Sequence, residues 1–318
     1  MDTFHFTTVV SRDHLYKFLA MNSSLMENAG DYKLYVLCAD NEVYDVLRTI
    51  PFKNIVLLRL EDIEDEALLQ ARANRLFHAY CWTLKPVFLS HVLQFYPDAQ
   101  YFAHLDADLF FFSDPAALFA EKPDASLYLT HHRNARDFEH FYSITGVYNT
   151  GFVGCRRDST SIAAISEWAK KCVEYCPIKE EPQRGLFGDQ RYVEGWPDKY
   201  ENVHIVTSIG ANAALWNISN YRVSRKGGQV LLNNVPLIFY HFSGLSIISR
   251  YEFNLCWYYH INDEKVVSLI YHPYLERLSA AIGGVQEFFP WFKWGFSDRK
   301  SVPNTHYYVL DSGYGIGK

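Results

Sequence analysis

Two aspartates spaced two residues apart give this sequence its clearest chemical signal. They are Asp106 and Asp108 in the segment HLDADLFFFSDP, which is apolar and aromatic on both sides. On a strand, side chains two residues apart share a face, and at the carboxyl end of a parallel strand they reach the ligand crevice. Two carboxylates placed there suit Mn²⁺ or Mg²⁺, which would bind diphosphate oxygens and neutralise a departing phosphate group.

A surface turn is the alternative interpretation, because a chain this long is expected to contain roughly one Asp-x-Asp by chance. The neighbouring residues favour a metal site. In an otherwise buried strand, the two carboxylates would repel each other unless a cation compensated them.

Three further segments carry polar residues beside apolar strands. His241 closes the strand in LIFYHFSG, Asn149 and Gly151 begin the strand in YNTGFVGCR, and Asp189 and Gln190 follow the glycine-rich turn in RGLFGDQ. Taken singly, these residues are explained as a buried histidine, the start of a strand and a helix cap. They would equally supply a metal ligand, a close backbone approach to a sugar and a polar reaction centre.

Three basic side chains, Arg72, Arg75 and Lys85, lie in a helical stretch of the sequence. They are candidates for phosphate contacts. A solvated helix face is the alternative explanation for such a group of charges.

Composition excludes several classes of protein. Lys and Arg number 30 against 36 Asp and Glu, a net charge of −6, so a broad basic surface for nucleic acid is not expected. A hydrophobic fraction of 49% indicates a folded globular chain. The six cysteines form no Cys-x-x-Cys pair, which argues against a disulfide framework or zinc ribbon. The sequence shows no signal peptide or spanning helix, so we expect a cytoplasmic protein, with peripheral attachment at the inner face of the membrane left open.

The elements that must position these residues follow an alternating pattern. Strands are predicted at 4–11, 33–40 and 54–60 with helical segments between them, which is typical of a mostly parallel sheet. A strand at 99–112, mixed strands at 125–132 and 148–156, and a helix at 159–175 come next. The pairs Gly227-Gly228 and Asn233-Asn234 predict tight turns between antiparallel strands that join the sheet.

Together and in this order, the segments resemble the GT-A glycosyltransferases, especially the retaining family of bacterial lipopolysaccharide galactosyltransferases and glycogenin. The resemblance rests on HLDADLFF as the DxD motif, YNTGFVGCR, GDQRYVEGWP, and YHFSGL as the His-x-x-Gly motif. It implies an α/β fold with a GT-A, Rossmann-like, mostly parallel sheet flanked by helices. We expect a nucleotide-sugar-binding catalytic domain at 1–245 and an aromatic-rich C-terminal extension at 246–318.

The resemblance also implies roles for particular residues. Asp106, Asp108 and His241 would hold Mn²⁺ or Mg²⁺, and Asp189 and Gln190 would form the catalytic centre. The predicted donor-binding residues are Val10, Ser11, Asp40, Arg75, Lys85, Asp106, Ala107, Asn149, Gly151 and Gly244. The expected partners are a nucleotide-sugar donor, with UDP as the nucleotide, and a glycan or lipid-linked acceptor in cell-surface polysaccharide biosynthesis.

Two departures from the family pattern qualify these expectations. Gly244 is followed by Leu-Ser-Ile and not by the Lys-Pro-Trp common in the family, so Lys85 or Arg75 is the candidate for contacting phosphates. Arg191 stands where an acidic residue is more usual, which leaves an inverting mechanism open beside a retaining one.

Other classes remain as alternatives. An aspartyl-nucleophile phosphatase also uses Asp-x-Asp, but Phe110 occupies the position where that chemistry wants Thr or Val. A non-catalytic sugar-binding protein would use the 23 Phe, 23 Tyr and 7 Trp for stacking. The segment EFFPWFKWGFSDRK is predicted to contact a membrane or a partner subunit through 286–300, and burial against the core is the competing interpretation.

Overall fold

The computed structural model describes residues 4–179, 181 and 183–310. In chain order its strands are β1 Phe4–Val10, β2 Tyr32–Cys38, β3 Ile55–Arg59, β4 Tyr101–Leu105, β5 Leu109–Phe111, β6 Leu127–His131, β7 Tyr148–Arg156, β8 Val203–Ile205, β9 Val223–Lys226, β10 Gln229–Leu232, β11 Val235–Pro236, β12 Phe239–His241, β13 Ser246–Ile247, β14 Glu252–Asn254 and β15 Tyr307–Val309. Its helices are α1 Leu15–Asn28, α2 Asn41–Leu47, α3 Glu66–Ala73, α4 Phe77–Phe95, α5 Ala116–Ala120, α6 Tyr142–Thr145, α7 Ser159–Glu174, α8 Trp196–Lys199, α9 Glu264–Val266 and α10 His272–Phe288.

The main sheet has seven strands in the order β3-β2-β1-β4-β7-β6-β8. Neighbouring strands from β3 to β4 run parallel, β6 and β8 run parallel to each other, and β7 is antiparallel to both β4 and β6. The predicted mostly parallel sheet is therefore confirmed. Because β7 runs the opposite way, its first residues lie at the same edge as the last residues of β1, β2, β4 and β6.

Both faces of this sheet are covered by apolar side chains. Along β2, Leu34 and Val36 join one core cluster, whereas Tyr35 and Leu37 join the other. The first cluster includes α1 and α10, and the second includes α4 and α7. Burial on both faces is what parallel strands require, and it leaves the sheet edge as the place for polar groups.

Side-chain caps define where two of the helices that follow strands begin. Asp40 accepts a hydrogen bond from the backbone N–H of Val43 at 3.1 Å and caps α2. Asp158 accepts from the N–H of Ser161 at 2.9 Å, and its own N–H donates to the Ser161 hydroxyl, which caps α7. Such caps satisfy N–H groups that the first turn of a helix leaves unpaired.

The predicted strand at 99–112 is two strands. The segment Asp106–Asp108 forms a turn between β4 and β5, so strand periodicity does not orient the two aspartates. The strand β5 leaves the main sheet and pairs with β12, with His241 opposite Leu109. The expectation that the aspartates lie at the carboxyl end of a parallel strand is confirmed, because β4 is parallel to β1 and ends at Leu105.

The antiparallel strands near residue 230 were placed wrongly in the main sheet. Strands β9, β10 and β11 form a separate three-stranded sheet, while β7 supplies the antiparallel member of the main sheet. The two turns themselves are confirmed. Gly227, Gly228, Asn233 and Asn234 all have positive φ, as hairpin turns of two residues require.

Residues beyond 245 pack on the same core. Helix α10 lies against α1, and the strands β13, β14 and β15 form a small antiparallel sheet. Phe292 is fully buried, with its ring centroid 5.7 Å from that of Tyr16. The residues 311–318 of the predicted extension lie outside the described part of the chain. Within the described residues, no helix combines the length and apolarity that crossing a membrane demands.

Candidate active site

Asp106, Asp108 and His241 meet at the edge of the main sheet. The pairing of β12 with β5 brings His241 beside Asp108, and the N–H of Phe242 donates to the carbonyl of Asp108 at 2.9 Å. The His241 Nε2 atom lies 3.1 Å from Asp108 Oδ1 and 3.9 Å from Asp106 Oδ2. One ligand atom from each of the three residues falls within 4.8 Å of the others.

This cluster forms part of a cavity of about 520 Å³. The lining residues come from the ends of β1 and β4, the start of α4, the start of β7 and the segment before residue 191. Among the predicted site residues, those that line the cavity are Ser11, Lys85, Asp106, Ala107, Asp108, Asn149, Asp189, Gln190 and His241. The elements of the two halves of the sheet thus converge on one polar crevice at the carboxyl edge of the strands.

Asp106 is compensated by two neighbours inside the protein. The Lys85 ammonium group lies 2.8 Å from Asp106 Oδ1, and His104 Nε2 lies 3.0 Å from the same oxygen. Burial alone would raise the pKa of Asp106, but the positive Lys85 and the hydrogen bond from His104 lower it below its ordinary value. Asp106 is therefore a carboxylate with a fixed position and a fixed charge.

Asp108 lacks such a close cation. Within the described residues, neither a lysine nor an arginine forms an ion pair with it, and the His241 Nε2 atom lies 3.1 Å from its Oδ1 atom. Burial would raise the pKa of Asp108, and the nearby His241 and, more weakly, Lys17 hold it well below its ordinary value. The Asp108 carboxylate is thus the acidic group of this cluster with spare capacity for a cation.

Lys17 reaches this region from the first turn of α1. The helix runs alongside β5, since Ser24 Oγ accepts from the N–H of Phe111 at 2.9 Å. Lys17 precedes Ser24 by two helical turns, and Asp108 precedes Phe111 by a similar length of strand, about 10 Å in each case. Burial lowers the pKa of Lys17, and the Asp108 charge opposes that shift, as their proximity requires.

Asp189 lines the same cavity and shares Lys85 with Asp106. It accepts a hydrogen bond from the Thr150 hydroxyl at 2.8 Å and lies 3.6 Å from Lys85 Nζ. Burial raises the pKa of Asp189, although Lys85 opposes the shift. The side chain makes no capping hydrogen bond to the following helical turn, so the helix-cap interpretation is wrong.

Asn149 and Gln190 form a hydrogen-bonded pair beside His241. Asn149 Nδ2 donates to Gln190 Oε1 at 3.1 Å, and Gln190 Nε2 donates to the carbonyl of Thr145 at 2.6 Å. Gly151 lies directly below the His241 ring. A Cβ atom at Gly151 would lie 2.7 Å from His241 Cε1, so only glycine allows the imidazole this approach.

Other predicted donor contacts lie away from the cavity. Val10 is fully buried, and its carbonyl accepts from the N–H of Ala39. Asp40 lines a neighbouring cavity of about 470 Å³, where it caps α2 and accepts from the N–H of Arg12. Gly244 has a φ of 81° next to Tyr258, and Ser243, one residue earlier, lines the main cavity.

Arg75 has a structural role in place of the predicted phosphate contact. Its guanidinium donates to the Thr83 hydroxyl and to the carbonyls of Cys172 and Val173, each at 2.8 Å. These bonds tie the start of α4 to the end of α7. Arg72 pairs with Glu64 at the surface, so Lys85 is the one of the three basic candidates that reaches the cavity.

Sequence reasoning missed several residues of the site. His14, Trp82 and Phe187 line the cavity, His104 holds Asp106, and Lys17 lies near Asp108. His104 had a detectable signal, because it stands two residues before Asp106 in HLDAD. The others come from helices or loops whose placement depends on packing across the sheet.

Comparisons with known proteins agree with this geometry. The profile of the nucleotide-diphospho-sugar transferase family matches residues 31–194, which include both aspartates of the DxD motif. The uncharacterized protein YfnD of Bacillus subtilis (strain 168) is 50% identical over 311 residues, 98% of this chain and 100% of YfnD. A second uncharacterized protein of that strain, YfnF, is 32% identical over 301 residues, 92% of this chain and 97% of YfnF.

Among solved structures, the galactosyltransferase LgtC in complex with donor and acceptor sugar analogs is similar in fold. Its TM-score is 0.53 at 12% identity, covering 91% of this chain and 100% of LgtC. The chain therefore has the GT-A fold. The chain belongs to the nucleotide-diphospho-sugar transferase family, and the protein is a transferase enzyme.

Proposed function

We propose that this enzyme moves a sugar from a nucleotide-diphosphate donor, a UDP-sugar, to a glycan or lipid-linked acceptor with a divalent cation bound. The observation that carries the proposal is the cluster of Asp106, Asp108 and His241 in a cavity that also contains Asp189. A nucleotide sugar bound in this cavity would have its diphosphate beside the cluster.

The residues of the cluster fit a cation. Asp108 is a partly buried carboxylate without a lysine or arginine ion pair in the described part of the chain, whereas the charge of Asp106 is compensated by Lys85. Two carboxylates with one imidazole suit Mn²⁺, since carboxylate ligands favour Mg²⁺ and Mn²⁺ and imidazole favours the transition metals. When bound, the cation would supply positive charge for the diphosphate leaving group.

Charged side chains of the enzyme would stabilise the donor phosphates and the reacting sugar beside the cation. Lys85 lies between Asp106 and Asp189 and pairs with both carboxylates. Lys17 is the basic residue that we assign to the donor phosphates in place of Arg75. Lys17 would thus supply the phosphate contact that the family's Lys-Pro-Trp would otherwise provide after Gly244. Asp189 faces the cavity with a negative charge that would stabilise positive charge developing on the sugar.

We further propose that transfer retains the anomeric configuration. Both polar groups of Gln190 are engaged, with Asn149 and with Thr145, so this residue is held as a fixed dipole and not as a nucleophile. The diphosphate would then leave from the same face on which the acceptor hydroxyl arrives. Inversion, with Asp189 as general base, is the alternative, and the raised pKa of Asp189 suits proton transfer.

NMR of the fresh product distinguishes the two mechanisms. Retention gives the same anomer as the donor, and inversion gives the opposite one. Asp189→Asn should reduce the rate in both mechanisms, so it serves as a check of the site and not of the stereochemistry. An inverted product would end the retaining assignment.

The donor proposal is tested by calorimetry with a panel of nucleotide sugars, with and without Mn²⁺. We expect UDP and a UDP-sugar to bind with Mn²⁺ and to lose affinity by at least about tenfold in EDTA. Equal affinity in EDTA would contradict the cation-dependent site. Binding without turnover of any acceptor would favour the non-catalytic sugar-binding alternative, and hydrolysis of simple phosphomonoesters would favour the phosphatase.

The proposal for where the enzyme acts rests on the segment 286–300. Phe288 is 75% exposed and Trp291 is 48% exposed, whereas Phe292, the next residue, is fully buried. The segment therefore combines burial with an exposed aromatic surface. Trp294 stacks on Arg12, which precedes the cavity residues Asp13 and His14. We propose that a cytoplasmic enzyme docks peripherally here at the inner face of the membrane, with a partner subunit as the alternative.

A further inference from the structure

We propose that His132 is a positioning residue for the cation site, because it fixes through Asn149 which ring nitrogen of His241 faces the two aspartates. The inference rests on the proposed cation function. His132 directly follows β6, is 5% exposed, and is not one of the three proposed ligands.

The orientation of His132 is set by the backbone. Its Nδ1 lies 3.0 Å from the carbonyl oxygen of Gly146, which can only accept, so Nδ1 carries the proton. Burial lowers the pKa of His132 to about 4, so the ring is neutral at neutral pH. Its Nε2 is therefore an acceptor, and it lies 3.4 Å from the Nδ2 of Asn149.

The amide of Asn149 is held in one orientation from both ends. The N–H of Gly151 donates to Asn149 Oδ1 at 3.0 Å, which requires the oxygen on that side. On the other side Nδ2 faces two acceptors, Gln190 Oε1 at 3.1 Å and His132 Nε2. A flipped amide would place two donors against each other at Gly151, so this arrangement has a single consistent set of hydrogen positions.

The fixed orientation of the Asn149 amide determines which nitrogen of His241 carries a proton. Asn149 Oδ1 lies 3.2 Å from His241 Nδ1, so Nδ1–H donates to it and the proton is held on that nitrogen. Nε2 is then the ring nitrogen that faces Asp108 and Asp106, and its lone pair is available to a cation bound between them. A histidine that binds a metal usually donates its other N–H in this way, and such outer partners tune affinity by 10- to 100-fold.

The ring of Trp216 supports the same geometry. Its centroid lies 5.4 Å from that of His241 and 5.5 Å from that of His132, both in edge-on contact. One aromatic ring therefore restricts the rotation of both imidazoles. The hydrogen-bond chain supplies the direction of the protons, which packing alone would not fix.

The test measures Mn²⁺ affinity by calorimetry in the full chain without nucleotide, with circular dichroism to show that each variant is folded. His132→Phe keeps the ring shape but removes the acceptor, so we expect affinity about tenfold weaker than in the wild type. His132→Gln places an amide oxygen near the position of Nε2 and should stay within about threefold. His131→Phe changes the adjacent, half-buried histidine, which makes an edge-on contact with Tyr148, and should leave affinity unchanged.

The outcomes separate this inference from the function on which it rests. A folded His132→Phe protein that binds Mn²⁺ as tightly as the wild type overturns the inference and leaves the cation site intact. Equal losses in His131→Phe and His132→Phe would show a packing effect and also overturn it. If His132→Phe does not fold, His132→Met, which also lacks the acceptor but adapts its shape, is measured in its place. A wild-type protein that binds no Mn²⁺ overturns the proposed cation function itself.

Discussion

The cavity at the carboxyl ends of the strands and the segment 286–300 differ in the side chains that form them. The cavity is formed around charged groups, and the segment around aromatic rings. At the cavity, the largely buried Lys85 lies within ion-pair distance of both Asp106 and Asp189. In the segment, aromatic rings such as Phe292 and Trp294 pack on one another and on Tyr16 or Arg12.

This difference indicates how function and stability are divided. Buried charges cost free energy and persist where they are paired, so a concentration of them at one edge marks a site that needs charge. Burial of aromatic rings stabilises the segment roughly in proportion to the apolar area removed from water, and it requires no charged or hydrogen-bonding partner. Substitutions at the cavity should therefore mainly reduce turnover. Substitutions in the segment should mainly change the free energy of unfolding or the docking of the protein.

The largest effect is expected for Asp108→Asn. Loss of a cation ligand removes several kcal/mol of stabilisation of the departing phosphate, so turnover should fall about a thousandfold. The free energy of unfolding should change by only about 1 kcal/mol, because Asn keeps the size and a hydrogen-bonding oxygen. Steady-state kinetics and urea denaturation measure the two quantities. Asp106→Asn should also lose turnover.

Asp124→Asn is the control for this prediction, since Asp124 is an exposed aspartate in the turn before β6. It should match the wild type in both measurements. Turnover of Asp108→Asn within a few-fold of the wild type would show that the cavity chemistry does not depend on this carboxylate.

Lys85→Met is expected to affect stability even though it lies at the cavity. It leaves the buried Asp189 and the partly buried Asp106 without their shared cation, which costs about 3–5 kcal/mol. The depressed pKa of Asp106 contributes stability above its ordinary pKa of 3.8, and that stability is lost as the pH falls through the lower value in the folded protein. The difference in unfolding free energy between wild type and variant should therefore be largest near neutral pH and shrink below pH 4. A difference that grows on acidification would contradict the pairing.

Phe292→Ala should reduce stability by about 3 kcal/mol, because a fully buried ring is removed from its contact with Tyr16. The ratio of turnover to folded protein should stay near that of the wild type. Trp291→Ala is the matched control, since that side chain is half exposed, and should cost less than about 1 kcal/mol. Equal losses at the two positions would show that the segment is not held by Phe292.

The smallest effect is expected for the double substitution Phe288→Ser with Trp291→Ser. If the exposed aromatic surface docks on a membrane, co-sedimentation with anionic liposomes should fall a few-fold while unfolding is little changed. Phe95→Ser, at an exposed aromatic on α4, is the control. Substitutions are preferable to deletion of 286–318, which would also remove β15. Unchanged co-sedimentation of the double variant would count against membrane docking, and a dimer that the substitutions dissociate would favour the partner subunit.

Local sequence was sufficient for the strand and helix pattern, for the hairpin turns and for the polar motifs. Alternating apolar segments predict β1, β2 and β3, because a buried parallel strand must be apolar on both faces. The turns at Gly227-Gly228 and Asn233-Asn234 follow from residues that tolerate positive φ. The segment HLDADLFFF identifies the acidic pair by itself, although the sequence misplaced it within a strand.

Only the tertiary structure decided which groups meet. His241 reaches Asp108 because β12 pairs with β5, and His132 reaches Asn149 because β6 pairs with β7. Arg75 and Lys85 look alike in sequence, yet one binds helix-end carbonyls and the other lies between two carboxylates. The physical reason is that a side chain's local propensity depends on its neighbours along the chain. Its partners, charge state and proton position depend instead on strands and helices brought together from distant parts of the sequence.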